Sequence, residues 1–151
     1  MAIKFRKVSL KDTNFLFNLK NDELSIKNSI KSKKLTFKDH KIWIKKKISK
    51  NNKDDIFLIV LNNNKKIGMI RYDIKYPIGF TSINILKQFR GKGYGKIILK
   101  TSENFLKKNI ILISKIKKNN KSSVNIFNKN NYKLLCERKY FFFVKLILNK
   151  E

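Results

Sequence analysis

Three glycines at alternate positions, Gly91, Gly93 and Gly95, stand directly behind Arg90 and are interleaved with Lys92 and Lys96. Glycine adopts positive φ readily and lets a ligand come close to the main chain. An apolar, strand-like run, Phe80–Leu86, leads into the glycines, and a helical pattern leads away from about Gly93. In such an arrangement the unpaired N–H groups at the helix start, reinforced by its dipole, form a site for a phosphate group. Lys92, Lys96 and Lys100 add cationic reach. Two nucleotide motifs fail on spacing. A Walker A loop needs Ser or Thr after its lysine, and Ile97 follows Lys96. A Rossmann turn needs its third glycine three residues after the second, and here it comes after two. The segment also falls too late in the chain for a dinucleotide-binding βαβ unit.

The elements that would position this loop follow from patterning. Ile3–Val8 alternates as a first strand. Ser9 and Asp12 make a capping box opening a short helix with Phe15, Leu16 and Leu19 inward, and Thr36 and Asp39 make a second. In that second helix Phe37, Lys41, Ile44 and Ile48 fall on one face, with Trp43 at its edge. Strand-like runs occupy Ile56–Leu61, Lys66–Ile74 and Phe80–Leu86. A helix from Gly93 to about Lys108 presents Tyr94, Ile97, Ile98, Thr101 and Phe105. Ile110–Ile116 reads as a strand, Lys121–Asn131 as a short helix, and Leu134–Leu148 as a long or broken strand pair. The expected order is β-α-α-β-β-β-α-β-α-β, a mixed α+β domain around a central sheet. Residues 1–151 contain no repeat or linker that would divide them.

Composition sets the boundaries. The 151 residues are 42% hydrophobic and 12% aromatic, enough for a real core. One cysteine excludes a disulfide framework and a cysteine-based zinc site, and Cys136 reads as a packed small hydrophobe. No apolar run is long enough to span a membrane, and the first residues lack a signal core, so a cytoplasmic setting is expected. The formal net charge is +27, but 33 of the 37 basic residues are Lys. With 19 Asn and 22 Ile, this reads as AT-rich codon usage filling permissive surface positions. Arginine, the residue of bidentate phosphate and base contacts, is scarce, so nucleic acid is not the expected partner. Anionic ligands would still be drawn in by this field.

The spacing Arg/Gln-x-x-Gly-x-Gly, met by Arg90, Gly93 and Gly95 and overlapped by Gln88, Gly91 and Gly93, resembles the pyrophosphate loop of the GNAT (Gcn5-related) N-acetyltransferases. A second stretch agrees. Asn120, Ser123, Val124, Ile126 and Lys129 match that family's other CoA-side motif, while Phe127 replaces the usual Tyr, Asn131 the usual Gly and Tyr132 the usual Phe. The likeness runs from Ile3 to about Leu148. Lys20-Asn21-Asp22, Ser29 and His40-x-x-Trp43 are similar to the GNAT enzymes that acetylate UDP-linked 4-amino-4,6-dideoxy sugars in pseudaminic and legionaminic acid biosynthesis, with Lys20 in place of Arg.

The resemblance implies a GNAT fold, with a mixed, mostly antiparallel sheet flanked by helices. It implies acetyl-CoA as co-substrate, no metal, and direct attack of a neutral amine on the thioester. Ile83 and Ile85 would pair with the pantetheine arm. Gln88, Arg90 and residues 91–96 (Gly91, Lys92, Gly93, Tyr94, Gly95, Lys96) would hold the pyrophosphate, with Asn120, Ser123 and Phe127 on the CoA side. Lys20, Asn21, Ser29, Trp43 and Arg71 would meet the acceptor. Phe80 stands where many relatives carry a glutamate base, which leaves His40, Asp73 or a water held by Ser82 or Asn84. The preferred acceptor is a nucleotide-linked amino sugar. The alternatives are a ribosomal or other protein N-terminus, a small amine, and an inactive basic RNA- or ribosome-binding module. Fold relatives often dimerise, so a homodimer is compatible.

Overall fold

The structure, a computed structural model, describes residues 2–49, 53–106 and 109–148. Strands β1 (Ile3–Lys7), β2 (Ile56–Asn62), β3 (Lys65–Lys75), β4 (Ile78–Ile85), β5 (Ile110–Ile116), β6 (Lys133–Glu137) and β7 (Phe141–Ile147) form one sheet in the order β1-β2-β3-β4-β5-β7-β6. All neighbours are antiparallel except β4 and β5. That parallel pairing covers only Ile78–Phe80 against Ile111–Ile113. Beyond it the strands part: Thr81 C=O still accepts from Ser114 Oγ at 3.4 Å, and β4 then runs on from Ser82 to Ile85 without a strand partner on that side.

Helices α1 (Thr13–Asn21), α2 (Glu23–Asn28) and α3 (Phe37–Ser49) lie in the first half, and α4 (Tyr94–Ser102) and α5 (Lys121–Lys129) in the second. Each face of the sheet carries its own core. Leu16, Leu19 and Ile44 pack with Ile59 and Met69 on one side. Ile98, Leu99 and Phe127 pack with Ile70, Tyr72, Leu112 and Phe143 on the other. Full burial of such side chains contributes about 1.5–3 kcal/mol each.

The first capping box forms, with Ser9 N–H donating to Asp12 at 3.0 Å; at the second, Asp39 N–H donates to Thr36 Oγ1 at 3.1 Å while the Asp39 carboxylate accepts from the Thr36 hydroxyl at 2.8 Å. The first box opens a 3₁₀ turn, Leu10–Asp12, that runs into α1. The expected strand pair after Leu134 is broken at residues 138–140, giving β6 and β7. Helix α2 was not expected. Its cap is Asp22, whose carboxylate accepts from Ser25 N–H at 3.0 Å.

Two helix faces are rotated by about one residue from the expected ones. On α3 the buried residues are His40 and Ile44, while Phe37 and Ile48 are 44% and 41% exposed. On α4 the buried residues are Gly95, Ile98, Leu99 and Ser102. This buried face is the one that carries Gly95 against α5: a Cβ there would fall 2.6 Å from Ile126 Cδ1, which would have to move aside. The helix also ends earlier than expected, at Ser102, and Phe105 sits in a separate 3₁₀ turn. Lys108 lies outside the described residues.

Candidate active site

The parting of β4 and β5 opens a cleft of about 460 Å³. Thr81 to Ile85 of β4 line one wall, and Ser114, Lys115 and Ile116 of β5 the other. Asn120, Ser123, Ile126 and Phe127 close it from the α5 side. From the other face come Lys20 of α1, Ser25 and Ser29 around α2, Lys31, Lys33 and Leu35 of the loop that follows, and Met69 and Arg71 of β3. An unpaired strand edge of four residues, Ser82 to Ile85, is a ready partner for an extended, amide-containing ligand arm.

The glycine loop stands where β4 leaves the sheet. Gly91 and Gly93 take φ of +73° and +82°, and a Cβ at either would meet nothing within 4 Å. The space is open and the backbone conformation disfavours L side chains. Gly93 caps α4, so the first N–H groups of that helix face outward with the positive end of its dipole. Gln88, Lys92 and Lys96 are exposed around it. The backbone can therefore cradle a pyrophosphate. Tyr94 contributes only its backbone: its hydroxyl accepts from Asn62 at 3.1 Å and its ring packs edge-on against Phe89.

Arg90 is anchored inside the chain. Its Nε donates to the Ile85 carbonyl at 2.7 Å, and its Nη2 donates to Asp22 at 2.6 Å and Ser25 Oγ at 3.0 Å. Its Nη1 is buried without a protein partner. On the far side, Asn120 accepts from Ser123 N–H at 3.2 Å and so caps α5. Phe127 is 2% exposed and packs edge-on against Tyr132, centroids 4.8 Å apart. Asn131, at the family's glycine position, adopts φ of +63°, a conformation that Asn tolerates better than most residues.

A scan against family models matches residues 15–132 to the acetyltransferase (GNAT) family. The chain belongs to the GNAT family. It is an N-acetyltransferase with acetyl-CoA as co-substrate, and the splayed edge and the glycine cradle fit that molecule. No curated protein matches the sequence. Among solved structures, this GNAT chain is similar to spermidine N-acetyltransferase from Vibrio cholerae in complex with CoA and spermine. The TM-score is 0.79 at 16% identity, covering 97% of this chain and 95% of that one. The aminoglycoside acetyltransferase AAC(6')-Ib in complex with coenzyme A gives a TM-score of 0.76 at 10% identity, covering 95% and 94%. A domain from Methanocaldococcus jannaschii gives 0.78 at 19%, covering 97% and 99%. At such identities the likeness is one of fold.

The acceptor-side residues divide. Lys20, Ser29, Arg71, Ser82 and Asn84 line the cleft. Asn21 does not: its amide holds Leu35 through both N–H and C=O, at 2.8 and 3.1 Å, and so shapes the loop carrying Lys31 and Lys33. Trp43 also stands outside the lining, covered by the Lys20 ammonium 3.6 Å above its ring and by Arg71 at 5.1 Å. Its ring face is occupied by these two cations.

Of the expected catalytic positions, Ser82 and Asn84 line the cleft, and His40 and Asp73 do not. His40 is 1% exposed between α1 and α3, with Nε2 3.2 Å from the Thr13 carbonyl and Nδ1 unbonded. Burial, helped by the Lys20 charge, keeps it below the ordinary histidine pKa and thus neutral. It is a packing residue, and the expectation of a histidine base is corrected on that ground. Asp73 is held by ion pairs to Lys47 and Arg71 and lies outside the lining. The Asn84 amide is committed, donating to Leu19 C=O at 3.1 Å and accepting from Ser25 Oγ at 3.2 Å. The Ser82 hydroxyl remains open to the cleft. Phe80, at the family's glutamate position, is 49% exposed on the sheet surface.

Sequence reasoning missed Asp22 and Ser25 as structural ties, and Lys31, Lys33 and Lys115 as cleft cations. The Asp22-x-x-Ser25 spacing was a legible cap signal. The lysines carried none, because 33 of them are spread along the chain. Among the described residues no group of His, Cys, Asp and Glu could hold a metal ion, and no helix is long and apolar enough to cross a membrane.

Proposed function

We propose that this GNAT enzyme acetylates the amine of a nucleotide-linked amino sugar, of the UDP-4-amino-4,6-dideoxy kind. One observation carries the reading. The cleft is lined by Lys20, Lys31, Lys33, Arg71, Arg90 and Lys115, and among the described residues no Asp or Glu lines it. Like charges a few ångströms apart repel by about 1 kcal/mol in water and about 4 kcal/mol in a half-buried site. Polyamines and aminoglycosides are polycations, and nothing in this lining neutralises them. A sugar diphosphate carries the opposite sign, and Lys20 and Arg71 offer it charge-assisted donors. Arg71 Nη1 in particular is buried and unbonded.

Binding and orientation do most of the chemistry. The Gly91 and Gly93 backbone and the start of α4 hold the pyrophosphate of acetyl-CoA. The free edge of β4 from Ser82 to Ile85 aligns the pantetheine arm and supplies N–H groups that stabilise charge developing on the thioester oxygen. A sugar amine flanked by oxygen substituents is less basic than lysine, so a water on the Ser82 hydroxyl suffices to take its proton. The departing thiol, with a pKa of about 8.5, leaves without an acid, consistent with Phe127 in place of tyrosine.

Reversing the acceptor-side charges tests this. Lys31→Glu with Lys33→Glu should raise KM for the UDP-amino sugar about tenfold or more, read by CoA thiol release. A KM that stays level or falls would remove the electrostatic basis of the reading.

A further inference from the structure

One wall of the cleft carries a lysine whose ammonium rests on Trp43, outside the lining. Lys20 lies in the last turn of α1, and its side chain lines the cleft beside Met69, Arg71 and Ser82. Arg71 and Ser82 are cross-strand partners on β3 and β4, and β4 leaves β5 immediately after Phe80. Lys20 thus shares a wall with the point where the sheet opens, and its ammonium reaches the beginning of the free edge by leaving the Trp43 face.

Its surroundings favour a nucleophile over a fixed cation. The charged and titratable groups around it are Arg71 and Asp73 of β3 and Lys47 and His40 of α3. Asp73, the carboxylate in that set, is engaged by Lys47 and Arg71. Burial, then the Arg71 charge, lowers the Lys20 pKa to about 8, Asp73 opposing and Lys47 adding to the fall. The Trp43 face favours the charged form by about 1–2 kcal/mol, which moves the balance back by about a pH unit. At pH 7 roughly a hundredth to a tenth of Lys20 is neutral, against well under about a thousandth of an ordinary lysine.

We propose that Lys20 is a self-acetylation site, taking the acetyl group of bound acetyl-CoA when no acceptor fills the cleft. The neutral Lys20 amine attacks the thioester carbonyl carbon. A C–N bond forms, the C–S bond breaks, and the thiolate of CoA leaves. The proton lost by the amine goes to solvent and, below the thiol pKa, back to the thiolate. The product replaces a cation at the acceptor entrance by a longer neutral amide, so the modified enzyme binds an anionic acceptor less well. The modification itself rests on acetyl-CoA use alone; its effect on binding rests on the anionic acceptor proposed above.

The test is peptide mapping by mass spectrometry of the full chain incubated with acetyl-CoA and no acceptor. Lys20 should be acetylated about tenfold or more ahead of any other lysine, faster as pH rises toward 8 and levelling above it. Excess desulfo-CoA should suppress it. Acetylation spread over surface lysines and insensitive to desulfo-CoA, or absent from Lys20, would overturn the proposal. A second reading needs no acetyl-CoA: competitive labelling with acetic anhydride should show Lys20 titrating well below the other lysines. A common titration for all lysines would contradict it. Sugar-dependent CoA release with Lys20 unmodified would defeat this proposal alone.

Discussion

Arg90 joins the glycine loop to the opposite wall of the cleft by donating to the Asp22 carboxylate across 2.6 Å. The same guanidinium holds the Ile85 carbonyl at the end of β4. One side chain thereby ties β4, the loop and the α1–α2 joint together. Burial alone would push the Asp22 carboxyl up, but hydrogen bonds from Arg90 and Ser25 outweigh it and hold the pKa below the ordinary carboxylate range.

Cutting this tie should reach a ligand that Asp22 never touches. Asp22→Ala should weaken acetyl-CoA binding about tenfold by titration calorimetry and lower Tm by several degrees, at a cost of about 1–2 kcal/mol. Unchanged affinity would show that the loop holds its shape unaided.

The loop itself is more sensitive to charge than to volume. Both glycines face open space, so Gly93→Ala meets only the backbone strain of a positive φ, about 1–2 kcal/mol. Gly93→Glu adds a carboxylate where an anion must sit, and acetyl-CoA binding should be lost. Retained binding in Gly93→Glu would move the pyrophosphate elsewhere.

Phe127→Tyr restores the phenol that relatives often carry. Because the thiol leaves without an acid, kcat should change by less than about threefold. A larger rise would show that protonation of the thiolate limits the natural enzyme.

Asp12 gives a pH signature. It is fully buried, donated to by Arg6 at 2.8 and 2.7 Å and paired with Lys66 at 2.8 Å. Burial raises its pKa, but these partners more than reverse that, leaving it far below the usual carboxylate value. A depressed pKa gives stability that is complete above the unfolded value of about 4 and is lost as pH falls below it. Asp12→Asn should cost about 2 kcal/mol at pH 7, discounted because both cations are partly exposed. It should also flatten the loss of Tm below pH 4, and a parallel acid limb in the variant would contradict this.

Much of the fold was legible. The strand-glycine-helix order around Gly91–Gly95 and the caps at Ser9 and Thr36 are local signals, and they hold. What failed was set by tertiary contact. Helix α4 meets Ile126 through Gly95, and periodicity at Ile97 and Thr101 cannot reveal that this face is the buried one. Helix α2 has six residues, too few for a period. His40 was drawn in by its residue type, yet ring packing with Phe17 and Trp43 accounts for its place. The cation-lined cleft is a sum over Lys20, Lys31, Lys33, Arg71, Arg90 and Lys115, brought together only by the chain's return.

The most direct measurement is CoA thiol release from acetyl-CoA with a UDP-4-amino-4,6-dideoxy sugar, spermidine, an aminoglycoside and ribosomal N-terminal peptides as parallel acceptors. The cation-lined cleft predicts turnover with the nucleotide sugar at a kcat/KM about a hundredfold or more above the polycations. Equal or better turnover of spermidine or the aminoglycoside would contradict an anionic acceptor.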